Sequence, residues 1–206
     1  MRLTRAALIA GAALLGITVW ALRSGDPEAA QPTSGQGIVA FGDSLVEGRG
    51  APPGQDFVSV LAARLGTSIT NAGQSGDTTR TALGRLADDV LLLNPRVVIV
   101  LLGGNDYLRR VPTSETFANL EEIVTRIRTQ GAAVVLAGVS VGLVSDPYAA
   151  EYDALARRTS SGLVPDILDG ILGHPSLMSD AIHPNSQGYA RMADRLEPVV
   201  RDLMPR

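Results

Sequence analysis

From Gly37 onward, short apolar runs alternate with stretches whose apolar positions recur every three or four residues. The runs suit strands buried on both faces, and the recurrence suits one face of a helix. Ile38 to Phe41 reads as a brief buried strand and Ser68 to Asn71 as a weaker one. Val97 to Leu102 is six consecutive apolar residues, mostly β-branched, the pattern of a central parallel strand. Ala132 to Val139 reads as another buried strand. Between these runs, Phe57, Leu61 and Leu65 mark a helix, and Thr79 to Leu93 predicts a second that stops at Asn94-Pro95. Phe117, Leu120, Val124 and Ile127 form a helical stripe ended by Gly131. Residues 148–160 look helical. A last helix carries Met192, Leu196, Val199, Val200 and Leu203, with Pro198 inside it and expected to kink it. Such alternation predicts an α/β fold, a parallel sheet sandwiched by helices.

Ligands of such sheets bind beyond the carboxyl ends of the strands. Three polar clusters fall there: Gly42-Asp43-Ser44, the stretch Asn71 to Asp77, and Gly103-Gly104-Asn105-Asp106. They are distant in sequence, yet the topology gathers them at one edge.

The amino terminus follows a different pattern. Arg2 and Arg5 precede an uncharged stretch from Ala6 to Leu22, closed by Arg23. At 1.5 Å per residue it spans roughly 25 Å, the short end of a membrane-spanning helix. Residues 1–23 therefore read as an anchor or signal segment, an uncleaved anchor in preference to a cleaved signal. The leading arginines place the domain outside the cytoplasm. Residues 24–36, rich in Pro, Gly, Ser and Gln, read as a flexible linker, and residues 37–206 as a single domain.

Composition narrows the chemistry. The chain of 206 residues carries a net charge of −3, which argues against a nucleic-acid partner. It has no cysteine, and all 18 basic residues are arginine. Disulfides, thiolate metal sites, cysteine nucleophiles and lysine-dependent chemistry are excluded. Histidine chemistry must use His174 or His183, the only two. His174, before Pro175, reads as a surface-loop residue. A metal site built from His174, Asp180 and His183 has no recognised ligand geometry, so neither metal nor cofactor is expected.

His183 lies three residues after Asp180, a spacing that one tight turn brings to the same side. The carboxylate can then face one ring nitrogen and leave the other to take a serine proton. Ser44 is the serine at the strand end. Alone it could equally cap the helix that follows. Backbone N–H groups of Ser44 and Gly76 and the side-chain amide of Asn105 are candidate donors to an oxyanion. Asp43 and Asp106 read as loop braces, and Asp77 as an alternative acid.

Four blocks, Gly42-Asp43-Ser44-Leu45, Gly76 in "SGDTT", Asn105 in "GGND" and His183 in "DAIHPN", resemble the GDSL, or SGNH, hydrolases in order and spacing. The resemblance covers roughly residues 37–203. It implies a flavodoxin-like three-layer α/β/α fold, an oxyanion hole of Ser44, Gly76 and Asn105, an Asp180–His183 pair and no metal. The stretches "NAGQSGDTT" and "LLGGND" look most like bacterial thioesterases, lysophospholipases and arylesterases. The expectation is an extracytoplasmic serine esterase acting on a small ester or lipid through an acyl-enzyme on Ser44. Carbohydrate O-acetyl esterase and a catalytically silent, membrane-tethered binding domain are the alternatives. Loops around residues 45–56, 106–114 and 141–152 are expected to set acyl length.

Overall fold

A computed structural model describes residues 29–140 and 146–204. Five parallel strands form one sheet: β1 (Ile38–Gly42), β2 (Ile69–Gly73), β3 (Val97–Leu101), β4 (Ala133–Ala137) and β5 (Gly162–Val164). Their spatial order is β2-β1-β3-β4-β5, the flavodoxin-like arrangement. β1 pairs in register with both β2 and β3, so Gly42 lies beside Gly73 on one side and Leu101 on the other. Seven helices connect and cover the strands: α1 (Ser44–Glu47), α2 (Phe57–Leu65), α3 (Thr79–Asp89), α4 (Gly104–Leu108), α5 (Thr113–Thr129), α6 (Pro147–Thr159) and α7 (Ser186–Arg201), counted among the described residues.

Alternation along β1 builds two cores. Ile38 and Ala40 face the layer of α2 and α7, against Phe57, Leu61, Met192 and Leu196. Val39 and Phe41 face the layer of α3, α5 and α6, against Leu86, Leu120, Val124 and Leu155. With both faces covered, β1, β3 and β4 are buried at every position, which is why their sequences are continuous apolar runs. The result is the expected three-layer α/β/α sandwich.

The elements depart from expectation in several places. β2 runs from Ile69 to Gly73 rather than from Ser68 to Asn71; as an edge strand it is only partly buried, and its polar residues hid its extent. The helix expected to reach Leu93 ends at Asp89, and after Val90 the chain tightens into a 3₁₀ turn at Leu91–Leu93. β5 is three residues long, too short for its pattern to register. α7 continues to Arg201 through Pro198, which sits in its last turn.

The expected linker also differs over its described part. Ala30 N–H donates to the Ser160 carbonyl at 2.8 Å, Thr33 N–H to Gly131 at 2.8 Å and Gln36 N–H to Asn94 at 2.9 Å. Residues 29–36 therefore lie strapped across the loops that lead into β3, β4 and β5, at the edge opposite the polar clusters. Backbone groups satisfied by the domain override a composition that reads as free chain. The proposed anchor at 1–23 lies outside the described residues. Among the described residues, no helix is long and apolar enough to cross a membrane.

Candidate active site

The chain leaves β1 through Gly42 and turns at once into α1. Asp43 caps that short helix, its Oδ1 accepting the Leu45 N–H at 3.0 Å. The cap is thus Asp43 and not Ser44, which leaves the serine hydroxyl free to look outward at the first helical position. Ser44 Oγ stands 3.0 Å from His183 Nε2, although the two residues are 139 positions apart.

His183 comes from the turn that precedes α7. Asp180 Oδ1 accepts the N–H groups of Ile182 at 2.9 Å and His183 at 2.8 Å, which closes the turn. Its Oδ2 is 2.7 Å from His183 Nδ1. The His183 side chain is 10% exposed, so its orientation is held by packing as well as by both partners. Asn185 caps α7 through the N–H groups of Gln187 and Gly188, and its own N–H donates to the Leu177 carbonyl at 2.9 Å. The hydrogen bond from His183, followed by the two backbone amides, holds the Asp180 carboxyl down at about 2. A carboxylate facing Nδ1 favours the ring tautomer that carries its proton there and presents Nε2 to Ser44 as an acceptor.

The third strand delivers Asn105. Gly103 turns the chain from β3 into α4 with φ of 116°, and a Cβ there would stand 2.6 Å from the Tyr152 hydroxyl. That hydroxyl donates to the Leu102 carbonyl at 2.5 Å, a support from α6 that the sequence reading missed. Asn105 Nδ2 donates to Asp43 Oδ2 at 3.2 Å and to the Asp77 carbonyl at 3.0 Å. Gly76 lies on the same loop as Asp77, with φ of 84°, a conformation that favours glycine. It is not among the residues that line the cleft onto which Ser44 and Asn105 open. Among the described residues, no protein acceptor takes the N–H of Ser44 or of Gly76.

The remaining acids brace this edge. Asp106 is fully buried and accepts from Thr79 through the backbone at 2.9 Å and the hydroxyl at 2.6 Å. Asp77 bonds Arg85 at 2.6 Å and Thr81 at 2.8 Å, not His183, which removes it as the alternative acid. Arg85 was not singled out by sequence. Its guanidinium also reaches the carbonyls of Gly42 and Ala72 at 2.9 and 3.0 Å and lies 4.5 Å over the Phe41 ring, bolting β1, β2 and α3 together. His174 is exposed, and no cluster of metal-binding side chains occurs among the described residues.

Ser44, Asn105 and His183 open onto a cleft of about 390 Å³ with Leu45, Val139 and Leu168 among its walls. Tyr107, Leu108, Leu172 and Ile182 line it too, and each is substantially exposed.

This sandwich, with a serine, a histidine and an asparagine meeting beyond the strand ends, defines an SGNH-type hydrolase. The GDSL-like Lipase/Acylhydrolase family model matches residues 40–191. Esterase TesA of Pseudomonas aeruginosa is 30% identical over 84% of this chain and 92% of its own. Thioesterase 1/protease 1/lysophospholipase L1 of Escherichia coli K12 is 29% identical over 79% of this chain and 84% of its own. The crystal structure of TesA superposes with a TM-score of 0.77 at 30% identity, covering 82% of this chain and all of that one. The chain belongs to the GDSL-like lipase/acylhydrolase family and is an ester-bond hydrolase.

Proposed function

We propose that the protein is an extracytoplasmic serine esterase that works through an acyl-enzyme on Ser44. The observation that carries this reading is the chain of contacts from Ser44 Oγ through His183 to Asp180, at 3.0 and 2.7 Å. Ser44 Oγ attacks the acyl carbon while His183 Nε2 takes its proton, and Asp180 stabilises the imidazolium. The negative charge that develops on the carbonyl oxygen is met by the N–H groups of Ser44 and Gly76 and by the Asn105 amide. An amide has two N–H donors, and both of Asn105's are engaged by protein. The oxyanion therefore displaces Asp43, the partner at the longer distance. Collapse of the intermediate breaks the bond to the alcohol or thiol, which leaves with the proton from His183. Water then attacks the acyl group, His183 takes a proton from it, and the carboxylic acid departs with Ser44 Oγ reprotonated.

The apolar walls and rim suit an aliphatic or aromatic acyl ester or thioester, as do the names of relatives: TesA an esterase, the E. coli protein a thioesterase and lysophospholipase, and a 30% identical Vibrio mimicus protein an arylesterase. Residues 1–23 supply the export or anchoring segment and residues 37–206 the hydrolase domain, onto which residues 29–36 are strapped. Ser44→Ala is expected to keep the fold and to lose turnover of short aryl p-nitrophenyl esters, by about 10⁴-fold or more. A fluorophosphonate is expected to label wild type at Ser44 and to leave the variant unlabelled. Turnover by the purified variant at the wild-type rate would reject the nucleophile.

A further inference from the structure

α4 and the residue that caps its carboxyl end, Arg109, present two side chains to one short stretch of the neighbouring loop. Asn105 and Arg109 are four residues apart, one helical turn, so both face the same way. Asn105 Nδ2 donates to the Asp77 carbonyl at 3.0 Å, and Arg109 Nη2 donates to the carbonyl of the preceding residue, Gly76, at 2.8 Å. The Arg109 backbone N–H closes the same turn onto the Asn105 carbonyl at 3.0 Å. On the other side of the loop, the Ser75 hydroxyl is hydrogen-bonded to Glu47 of α1. The loop is thus held on either side of Gly76, whose φ of 84° is one that glycine adopts without steric cost.

The geometry points to Arg109 as a positioning residue for the oxyanion site, a role that rests on the proposed part of Gly76 and Asn105. Arg109 does not touch the reacting atoms. It ties the Gly76 carbonyl to the helix that carries Asn105, so that two donors from separate loops keep one spacing. Donors placed before the reaction need no rearrangement when charge develops, and that is the source of their effect on the chemical step. A grip of this kind acts on the transition state more than on the bound ester. Its loss should lower kcat and spare KM. Arg109 is exposed and its partner Gly76 is only partly buried, so its removal is expected to leave the fold intact.

The test uses full-length protein with Arg109→Ala and Arg109→Lys, assayed on p-nitrophenyl butyrate, beside wild type and Ser44→Ala. For Arg109→Ala, kcat is expected to fall about tenfold with KM within about twofold, a smaller loss than deletion of a donor itself. Lys, which can still donate to one carbonyl, is expected to recover most of kcat. The pH profile should keep its shape, since His183 and Asp180 are untouched. A kcat within about twofold of wild type, or a change confined to KM, would overturn the role. So would equal losses in the Ala and Lys variants. If Ser44→Ala kept full turnover, the esterase mechanism itself would fall, a result separable from all of these.

Discussion

Two carboxylates flank the Ser44–His183 pair, and the protein treats them in opposite ways. Asp43 is 4% exposed, and burial, opposed by the Leu45 N–H and reinforced by nearby Asp77, pushes it up to about 6. The Asp180 side chain is 52% exposed, and the hydrogen bonds from His183 and the backbone hold it down at about 2. The comparison separates two tasks. An acid that must be charged beside an imidazole is built near solvent, where ionisation carries little desolvation penalty and hydrogen bonds favour the ion. Asp43, which braces a loop, is buried, and loss of solvation opposes its charge more than its hydrogen bonds favour it. The site accordingly has a fixed half, Ser44 and Asn105 set in a buried polar lattice, and a solvent-side half, the turn of Asp180 and His183.

The sharpest way to break the solvent-side half is Asp180→Asn. An Asn oxygen can still close the turn through Ile182 and His183, but an amide facing Nδ1 favours the tautomer with its proton on Nε2. That nitrogen can no longer accept from Ser44. Turnover of p-nitrophenyl butyrate should fall on the order of 10³- to 10⁴-fold in a variant that still folds. A loss under about tenfold would show that Asp180 is not the partner that orients His183.

Arg85→Ala breaks the fixed half instead. Its side chain is 15% exposed, and its guanidinium joins Asp77, Asp89 and the carbonyl ends of β1 and β2. Removal leaves Asp77, 3% exposed, without its cation. The cost should be about 3–5 kcal/mol in urea unfolding. Arg85→Lys should recover less than half, because one ammonium cannot reproduce the fork. A loss below about 1 kcal/mol in the alanine variant would remove the bolt from the account.

What was legible in the sequence follows the same division. β1, β3 and β4 announced themselves because burial on both faces demands uninterrupted apolar residues. Ser44, Asn105 and His183 stood out because strand ends and an i,i+3 acid–histidine spacing are local signals. Arg85 and Arg109 did not, because each acts on carbonyls distant in sequence, and an arginine on a helix reads as a solvated charge. The five-residue α4 was hidden for a related reason: too short for a period, it reads as loop after β3. The strap at 29–36 was misread because its hydrogen bonds are made by backbone, on which composition is silent.

The smallest expected effect is the most direct test of the opposed acids, and it lies in the pH dependence of stability. Asp180 has a folded value of about 2, below its ordinary 3.8, so its contribution is present above about pH 4 and is lost as pH falls toward 2. Asp43 has a folded value of about 6, above its ordinary 3.8. Between those values the unfolded chain has released a proton that the folded chain still holds, so Asp43 lowers stability progressively as pH rises from about 4 to 6 and no further above that. Urea unfolding of wild type and Asp43→Asn across pH 3 to 8 isolates this effect. Any fixed cost of placing an amide against Asn105 is the same at every pH and drops out of the slope. The variant should gain on wild type from about pH 4 to 6 and then run parallel to it. The corresponding pair for Asp180→Asn should converge as pH falls below about 4. Curves for Asp43→Asn and wild type that stay parallel between pH 4 and 6 would mean that Asp43 ionises as an ordinary surface acid, and the contrast between a buried brace and a solvent-side ion would be lost.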